Sequence, residues 1–125
     1  MSKFDEKVTR KNLFNYKEEN LPFKKLSELK AEKGEGPFVL KALWIYFDKS
    51  GKVKAHPVAV IEGLNIDLPD YRLPDVEDML QDPETIEQIN NGECGFKIGS
   101  YSNKFGTFCS ADWCKIEKEV PFEVN

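Results

Sequence analysis

Two long apolar segments, residues 38–47 and 52–61, are joined by a short polar link that ends in Gly51. Both segments are rich in β-branched or aromatic residues, and a polar link of this length ending in glycine is typical of a β-hairpin. Pro57 lies inside the second segment. Because proline cannot donate a ladder hydrogen bond, we expect an edge position or a bulge there. Residues 64–68 alternate between apolar and polar and predict a third strand.

The following segment, residues 74–90, is acidic and places apolar side chains at the three- and four-residue spacing of one helical face. Pro83 divides this segment, so we expect two helices, with Asp82 as the N-cap of the second one and Pro83 at its first position. Two further strands are expected over residues 94–99 and 107–116, with a polar loop between them.

The expected order is therefore three strands, a helical segment and two strands. This is the order of an OB-fold, a five-stranded Greek-key barrel with a helix between strands three and four. Simple α+β sheets give the same order, so both architectures stay open. We divide the chain into an N-terminal arm (1–36), an OB-like barrel domain (37–116) and a C-terminal tail (117–125). Within the arm, residues 27–34 predict either a short helix capped by Ser27 or an extended lead-in.

The net charge of −4 is unevenly distributed along the chain. Residues 62–93 hold ten acidic residues and one basic residue, a net charge of −9, whereas the other residues hold 17 basic and 12 acidic ones, a net charge of +5. Nucleic acids are bound by Lys and Arg, and binding responds to the local field rather than to the sum. The acidic total therefore does not exclude a nucleic acid as the partner.

The residue types argue against catalysis and against a metal site. His56 is the only histidine, and no two of the three cysteines have the spacing of a zinc or redox motif. No segment approaches the roughly 18 apolar residues of a membrane span, and the first residues lack the apolar stretch of a signal peptide. We therefore expect a cytoplasmic binding protein that is not an enzyme and uses no cofactor, no metal ion and no membrane.

The OB-fold predicts where a ligand binds, because such barrels use strands two and three and the loops that join strands one to two and four to five. Lysines in these segments can follow phosphates, and aromatic rings can stack on bases. The alternative is that the aromatic residues of the strands, including Phe108 and Trp113, form the barrel core. We expect this for Phe38 and Phe96, and for Trp44 and Tyr46 the two alternatives have equal weight. The candidate nucleic-acid-binding residues are Lys41, Tyr46, Lys52, Lys54, Lys97, Tyr101, Lys104 and Phe105.

The phrases PVAVIEGLNIDLP and ETIEQINNGECGFKIGSYSNKFGTFCSADW resemble small proteins of phages and mobile elements of Gram-positive bacteria. Some of these are single-stranded DNA-binding proteins with an OB-fold. The resemblance covers about residues 37–114. It implies a non-enzymatic protein that coats single-stranded DNA during phage replication or recombination in the host cytoplasm. It also implies an oligomer, with replication or recombination proteins as further partners.

Two other functions remain open at this point. The first is a phage-encoded interaction module or inhibitor, whose acidic residues 62–93 imitate nucleic acid towards a basic host protein. The second is a small hydrolase or nuclease that uses the carboxylates. The sequence also predicts surfaces for pairing with a second copy, namely a strand interrupted by Pro57 and the N-terminal arm.

Overall fold

The computed structural model describes residues 13–18, 20–48 and 54–116. In these ranges the chain is a mixed α+β structure with a four-stranded sheet, a three-stranded sheet and three α-helices. The elements are β1 (Phe23–Lys25), α1 (Leu26–Lys33), β2 (Phe38–Val39), β3 (Ala42–Asp48), β4 (Lys54–Ile61), β5 (Leu64–Asp67), a 3-10 helix (Asp70–Arg72), α2 (Leu73–Leu80), α3 (Pro83–Asn90), β6 (Cys94–Asn103) and β7 (Gly106–Lys115). The predicted tail, 117–125, lies outside the described residues.

One continuous segment belongs to both sheets. The first predicted strand is interrupted at Leu40 and Lys41, so that β2 pairs with β6 in one sheet and β3 pairs with β4 in the other. The N–H of Leu40 donates to Cys94 O (2.9 Å), and the N–H of Lys41 donates to Val60 O (2.7 Å). Consecutive residues thus bond to different sheets, giving the strand orders β1-β5-β4-β3 and β2-β6-β7.

The N-terminal arm adds a strand to the larger sheet. β1 pairs in parallel with β5, whereas the other strand pairs are antiparallel. The buried Asn65 holds this junction: its backbone N–H donates to Pro22 O (2.9 Å) and its Nδ2 to Leu21 O (3.1 Å). Its Oδ1 accepts from Trp44 Nε1 at 3.0 Å. One amide side chain therefore joins the arm, β5 and β3.

Helix α1 begins one residue before the predicted cap. Its N-cap is Lys25 rather than Ser27, and the backbone N–H of Lys25 donates to the carboxylate of Glu28 at 2.8 Å. The helix ends at Lys33, and its C-cap is Gly34, whose φ of 83° favours glycine.

The division of the acidic segment at Pro83 is confirmed. Asp82 is the N-cap of α3, where it accepts hydrogen bonds from the N–H of Glu84 (3.2 Å) and from Oγ1 of Thr85 (2.6 Å). Pro83 occupies the first turn, where its missing N–H leaves no helical bond unmade. Val76 in α2 and Ile89 in α3 are buried, so the helices turn their apolar sides to the core.

Pro57 lies in the interior strand β4 without a bulge, at the point where the ladder with β5 has ended. It pairs with Ile45 in the regular register of β3 and β4. Its C=O accepts from the N–H of Leu68 at 3.1 Å. The N–H and C=O of one strand residue point to the same side, so the missing donor faces a region where β5 has already ended at Asp67.

The predicted loop between the last two strands is a continuation of those strands. The register of β6 and β7 runs without a break from Cys94↔Lys115 to Asn103↔Gly106, so that Lys104 and Phe105 form the turn. The hydroxyls of Ser102 and Thr107 are 2.9 Å apart across this hairpin. Polar residues suit these positions because the outer half of the hairpin is exposed on both faces.

Apolar side chains from both sheets and from all three described helices form a single core. Its largest fully buried members are Leu29, Leu40, Leu43, Ile66, Ile89 and Phe96. Of the helices in the described ranges, none has both the length and the apolar character needed to cross a membrane.

Candidate functional site

A groove of about 620 Å³ lies between one face of the larger sheet and the β6–β7 hairpin. Tyr46, His56, Asp67 and Lys25 line it on the sheet side, and Tyr101, Thr107, Phe108 and Cys109 line it on the hairpin side. We call it the aromatic groove. Residues of β5, of β7 and of the start of α1 all line it.

The strand register explains why the sheet side of the groove is aromatic. Tyr46 is paired with His56, and the centroids of their rings are 6.0 Å apart. Trp44 shares this sheet face because it is two residues from Tyr46, at a ring distance of 6.3 Å. Phe23 extends the row from β1, 5.9 Å from Trp44. Four rings from three strands therefore form one continuous surface.

The hairpin side carries a second group of rings. Tyr101 and Phe108 are directly paired across β6 and β7, with ring centroids 5.6 Å apart. Tyr71 of the 3-10 helix meets Tyr101 edge to face at 6.4 Å. Rings from two separate parts of the chain thus form this second group, of which Tyr101 and Phe108 line the same groove as Tyr46.

These rings are unusually accessible for aromatic side chains. Seven large apolar side chains are exposed in the described part of the chain, and five of them lie in the groove or against it. These five are Phe23, Tyr46, Tyr71, Tyr101 and Phe108, and each is between 41% and 47% exposed. An apolar patch of this kind, with polar groups around it, is typical of a binding surface.

The charges around the groove nearly balance. Lys54 Nζ lies 3.2 Å from Asp70 Oδ2, and His56 Nδ1 lies 3.6 Å from Asp70 Oδ1. Lys25 and Asp67 line the groove itself, paired in the register of β1 and β5. The groove is therefore mainly an aromatic surface rather than a strongly positive one.

Arg72 fastens the 3-10 helix to the hairpin. Its Nε donates to Ala111 O at 2.7 Å, and its Nη1 contacts Asp75 Oδ2 at 2.8 Å. The guanidinium lies 5.0 Å from the centroid of the Tyr71 ring and 5.6 Å from that of Trp113. Asp75 also accepts from Trp113 Nε1 at 3.0 Å, and this bond, with the Arg72 contact, lowers the pKa of the Asp75 carboxyl. The cluster fixes the position of Tyr71 beside the groove.

The candidate residues from the sequence fall in different places. Tyr46 and Tyr101 line the groove, and Lys54 lies beside it on the same sheet face as Tyr46. Lys41 does not line the groove, and its Nζ lies 3.9 Å from Glu62 Oε1. Lys97 is exposed on β6 opposite Asp112 and does not line the groove either.

The other candidate residues lie at the tip of the β6–β7 hairpin or outside the described residues. Phe105 in the turn is 77% exposed, and Lys104 Nζ lies 5.3 Å from the centroid of its ring. Neither lines the groove. Lys52 lies outside the described residues.

Sequence reasoning missed several groove residues. Phe108 was considered only as a core residue, but it is 42% exposed and forms the hairpin side of the groove with Tyr101. The signal was present in the sequence: with Lys104 and Phe105 as a two-residue turn, positions 101 and 108 become directly opposed. No sequence pattern identifies Lys25 and Asp67 as groove residues, because the parallel pairing of β1 with β5 is what brings them together there.

Within residues 13–18, 20–48 and 54–116, no three His, Cys, Asp or Glu side chains are grouped so as to hold a metal ion. Comparisons of the chain with protein-family models, with curated proteins and with solved structures find no match.

Proposed function

We propose that this protein binds single-stranded nucleic acid, with unpaired bases stacked on the rings of the aromatic groove. The observation that carries this proposal is that accessible rings from two elements line one groove, Tyr46 from the sheet and Tyr101 and Phe108 from the hairpin. Stacking of a base on an aromatic side chain contributes about 1–3 kcal/mol, and it requires a base face that a duplex keeps covered.

An open OB-type barrel is the architecture that we propose for this binding. Support comes from the segment shared by both sheets and from the helices between β5 and β6. β1 and α1 occupy the gap between β5 and β7, with α1 packed against β7. In OB-folds the second and third strands and the last hairpin contact the ligand. The corresponding elements here, β4, β5 and the β6–β7 hairpin, border the groove.

The charges near the groove suit a nucleic-acid strand that is held mainly by the stacking of its bases on aromatic rings. Lys25 lines the groove, Lys54 lies on the sheet face beside it and Lys104 lies at the tip of the hairpin, so we expect these three to contact the phosphates of a nucleic-acid strand. Neutralising about three phosphates of a single strand gives a slope of about −2 in a plot of log K against log salt concentration. We therefore expect a moderate dependence on salt, weaker than that of a protein with a strongly basic surface.

The role that we propose is that of a non-enzymatic protein that coats single-stranded DNA. The resemblance described above supports a place in the DNA replication or recombination of a phage or mobile element, in the host cytoplasm and as an oligomer. Binding by stacking does not depend on one fixed sequence, since every base has a π face.

A titration with a labelled, unstructured DNA strand of about 15 nucleotides and mixed sequence tests the proposal. Fluorescence anisotropy at low and at high salt gives the affinity and the salt slope, and a duplex of the same sequence is the matched competitor. We expect micromolar binding of the single strand, much weaker binding of the duplex, and quenching of tryptophan fluorescence because Trp44 contacts Tyr46. Absence of binding at low salt would contradict the proposal.

One observation favours a second candidate function. The acidic side chains of Glu77, Asp78, Glu84 and Glu87 are exposed on α2 and α3, and within the described ranges none of them forms an ion pair. An inhibitor that imitates nucleic acid towards a basic protein needs such a surface. Failure of the DNA titration would favour this candidate. Incubation of labelled DNA with Mg²⁺ or Mn²⁺ tests nuclease activity, and we expect no shortened product.

A further inference from the structure

Asp67 places an accessible carboxylate in the aromatic groove. It is the last residue of β5, its side chain is exposed, and it lines the groove beside Tyr46 and His56. Among the residues that the structure describes, none forms an ion pair or a side-chain hydrogen bond with this carboxylate. The Asp67 carboxylate can therefore accept a hydrogen bond from a ligand in the groove.

The register fixes where this acceptor lies relative to the rings. Asp67 is paired with Val58 on β4, and Val58 is paired with Trp44 on β3. The three side chains therefore form a row across one face of the sheet. His56 lies two residues before Val58 and is the diagonal neighbour of Asp67, about 7–8 Å away between Cα atoms. The carboxylate therefore lines the groove next to His56, within reach of an edge of a base that stacks there.

The chemistry of a carboxylate restricts which base edges it accepts. An ionised carboxylate accepts hydrogen bonds and cannot donate them. The N4 amino group of cytosine donates, whereas thymine and uracil present the O4 carbonyl, an acceptor, at the same position of the ring. The same negative charge opposes a phosphate, so the strand is favoured in the orientation that turns bases, rather than backbone, towards Asp67.

We propose that Asp67 is a specificity-determining residue, which favours bases with an exocyclic amino group, cytosine above thymine or uracil, at the position beside Tyr46 and His56. This inference rests on the proposed function. It adds a base preference to a groove in which stacking alone is tolerant of sequence.

Two oligonucleotides of equal length test the preference. Oligodeoxycytidine and oligodeoxythymidine of about 15 nucleotides are titrated at near-neutral pH and the same salt concentration. We expect the cytidine strand to bind at least about five-fold more tightly, the lower end of the discrimination of one good base contact. In Asp67→Asn the ratio falls to near one, because an amide offers both a donor and an acceptor.

Glu77→Gln is the matched control, since it removes one negative charge from the exposed side of α2, outside the groove. It should keep the wild-type preference, and circular dichroism checks that both variants are folded. Equal wild-type affinities for the two strands overturn the inference and leave the proposed function standing. An Asp67→Asn variant that binds both strands more tightly by the same factor also overturns it, because the carboxylate then acts on phosphates. Absence of binding to either strand overturns the proposed function and this inference together.

Discussion

The aromatic groove and the pair of helices α2 and α3 present opposite kinds of exposed surface. In the groove, apolar rings such as Tyr46 and Tyr101 are about half exposed, and charges are few. On the helices the apolar side chains Val76 and Ile89 are buried, and carboxylates cover the outside. Both surfaces occur in one small domain whose core draws on both sheets and all three described helices.

The difference separates a surface that needs a ligand from one that does not. Carboxylates on a helix are well hydrated, and their exposure costs the folded state little. Exposed rings keep apolar area in contact with water, at about 25 cal/mol per Å² that burial would recover. The five exposed rings in and beside the groove are therefore the part of the molecule where binding of a partner yields the larger gain in free energy.

The largest effect is expected where the groove loses a ring on each side. Tyr46→Ala combined with Tyr101→Ala should weaken binding of single-stranded DNA by about 2–4 kcal/mol, because each ring stacks on one base. Fluorescence anisotropy measures the loss, and thermal unfolding checks that the variant is folded.

Two matched controls define the groove. Phe47 follows Tyr46 in the same strand and has the same exposure, 46%, but its side chain lies on the opposite face of the sheet. Phe105 in the hairpin turn is more exposed, at 77%, and does not line the groove. We expect Phe47→Ala and Phe105→Ala to bind nearly as well as the wild type. A loss equal to that of the double variant in either control would place the binding surface elsewhere.

The next largest effect is on stability, and it concerns the contact between the hairpin of the aromatic groove and the helical segment. Arg72 links the hairpin to the start of the helical segment through Ala111 O and Asp75. Arg72→Ala should lower the free energy of unfolding by about 2 kcal/mol, because hydrogen bonds to a charged group are lost together with contacts to two rings. Urea unfolding measures this change.

Arg72→Lys separates charge from geometry in that experiment. Lysine keeps the positive charge but lacks the planar fork that reaches the carbonyl and the carboxylate at once. We expect most of the loss to remain. Wild-type stability in the lysine variant would show that charge alone fastens the hairpin.

The helical surface was easier to predict from the sequence than the groove. The division at Pro83 and the capping by Asp82 depend on residues close together in the chain, and both were predicted correctly. The parallel pairing of β1 with β5 joins residues about 40 positions apart, for which no local pattern exists. The arm was accordingly treated as separate, although Asn65 binds it to the sheet through Pro22 and Leu21.

The groove was only partly predictable for a related reason. Tyr46 and Tyr101 were identified by their residue type and by the element in which each lies. Phe108 was considered only as a core residue, because an aromatic residue in a strand is usually buried. In this hairpin the outer residues, 101–108, are exposed on both faces. Whether a strand end is covered depends on the packing of other elements, which local sequence does not contain.

A smaller effect is expected from the lysines, and it compares one that lines the groove with one that does not. Lys25→Gln should lower the magnitude of the salt slope by about 0.7, because one phosphate contact is lost. Lys97→Gln removes an equal charge from β6 opposite Asp112, outside the groove, and should leave the slope unchanged. Titrations at several salt concentrations measure both slopes. Equal changes in the two variants would show that the strand responds to overall charge and not to the groove.

The smallest effect is expected from the titration of Asp75. Hydrogen bonds from Trp113 and Arg72 lower the pKa of this carboxyl in the folded state. A lowered pKa stabilises the fold at any pH above the unfolded value, about 3.9, and this contribution is lost as the pH falls through the folded value. Asp75→Asn should therefore melt below the wild type at neutral pH, and the difference between their melting temperatures should shrink in acid below about pH 4. Thermal unfolding followed across that range measures the difference. A gap that stays constant into acid would mean that the contacts of Asp75 stabilise the fold through geometry alone, and that its charge contributes nothing to the junction of the helices with the hairpin.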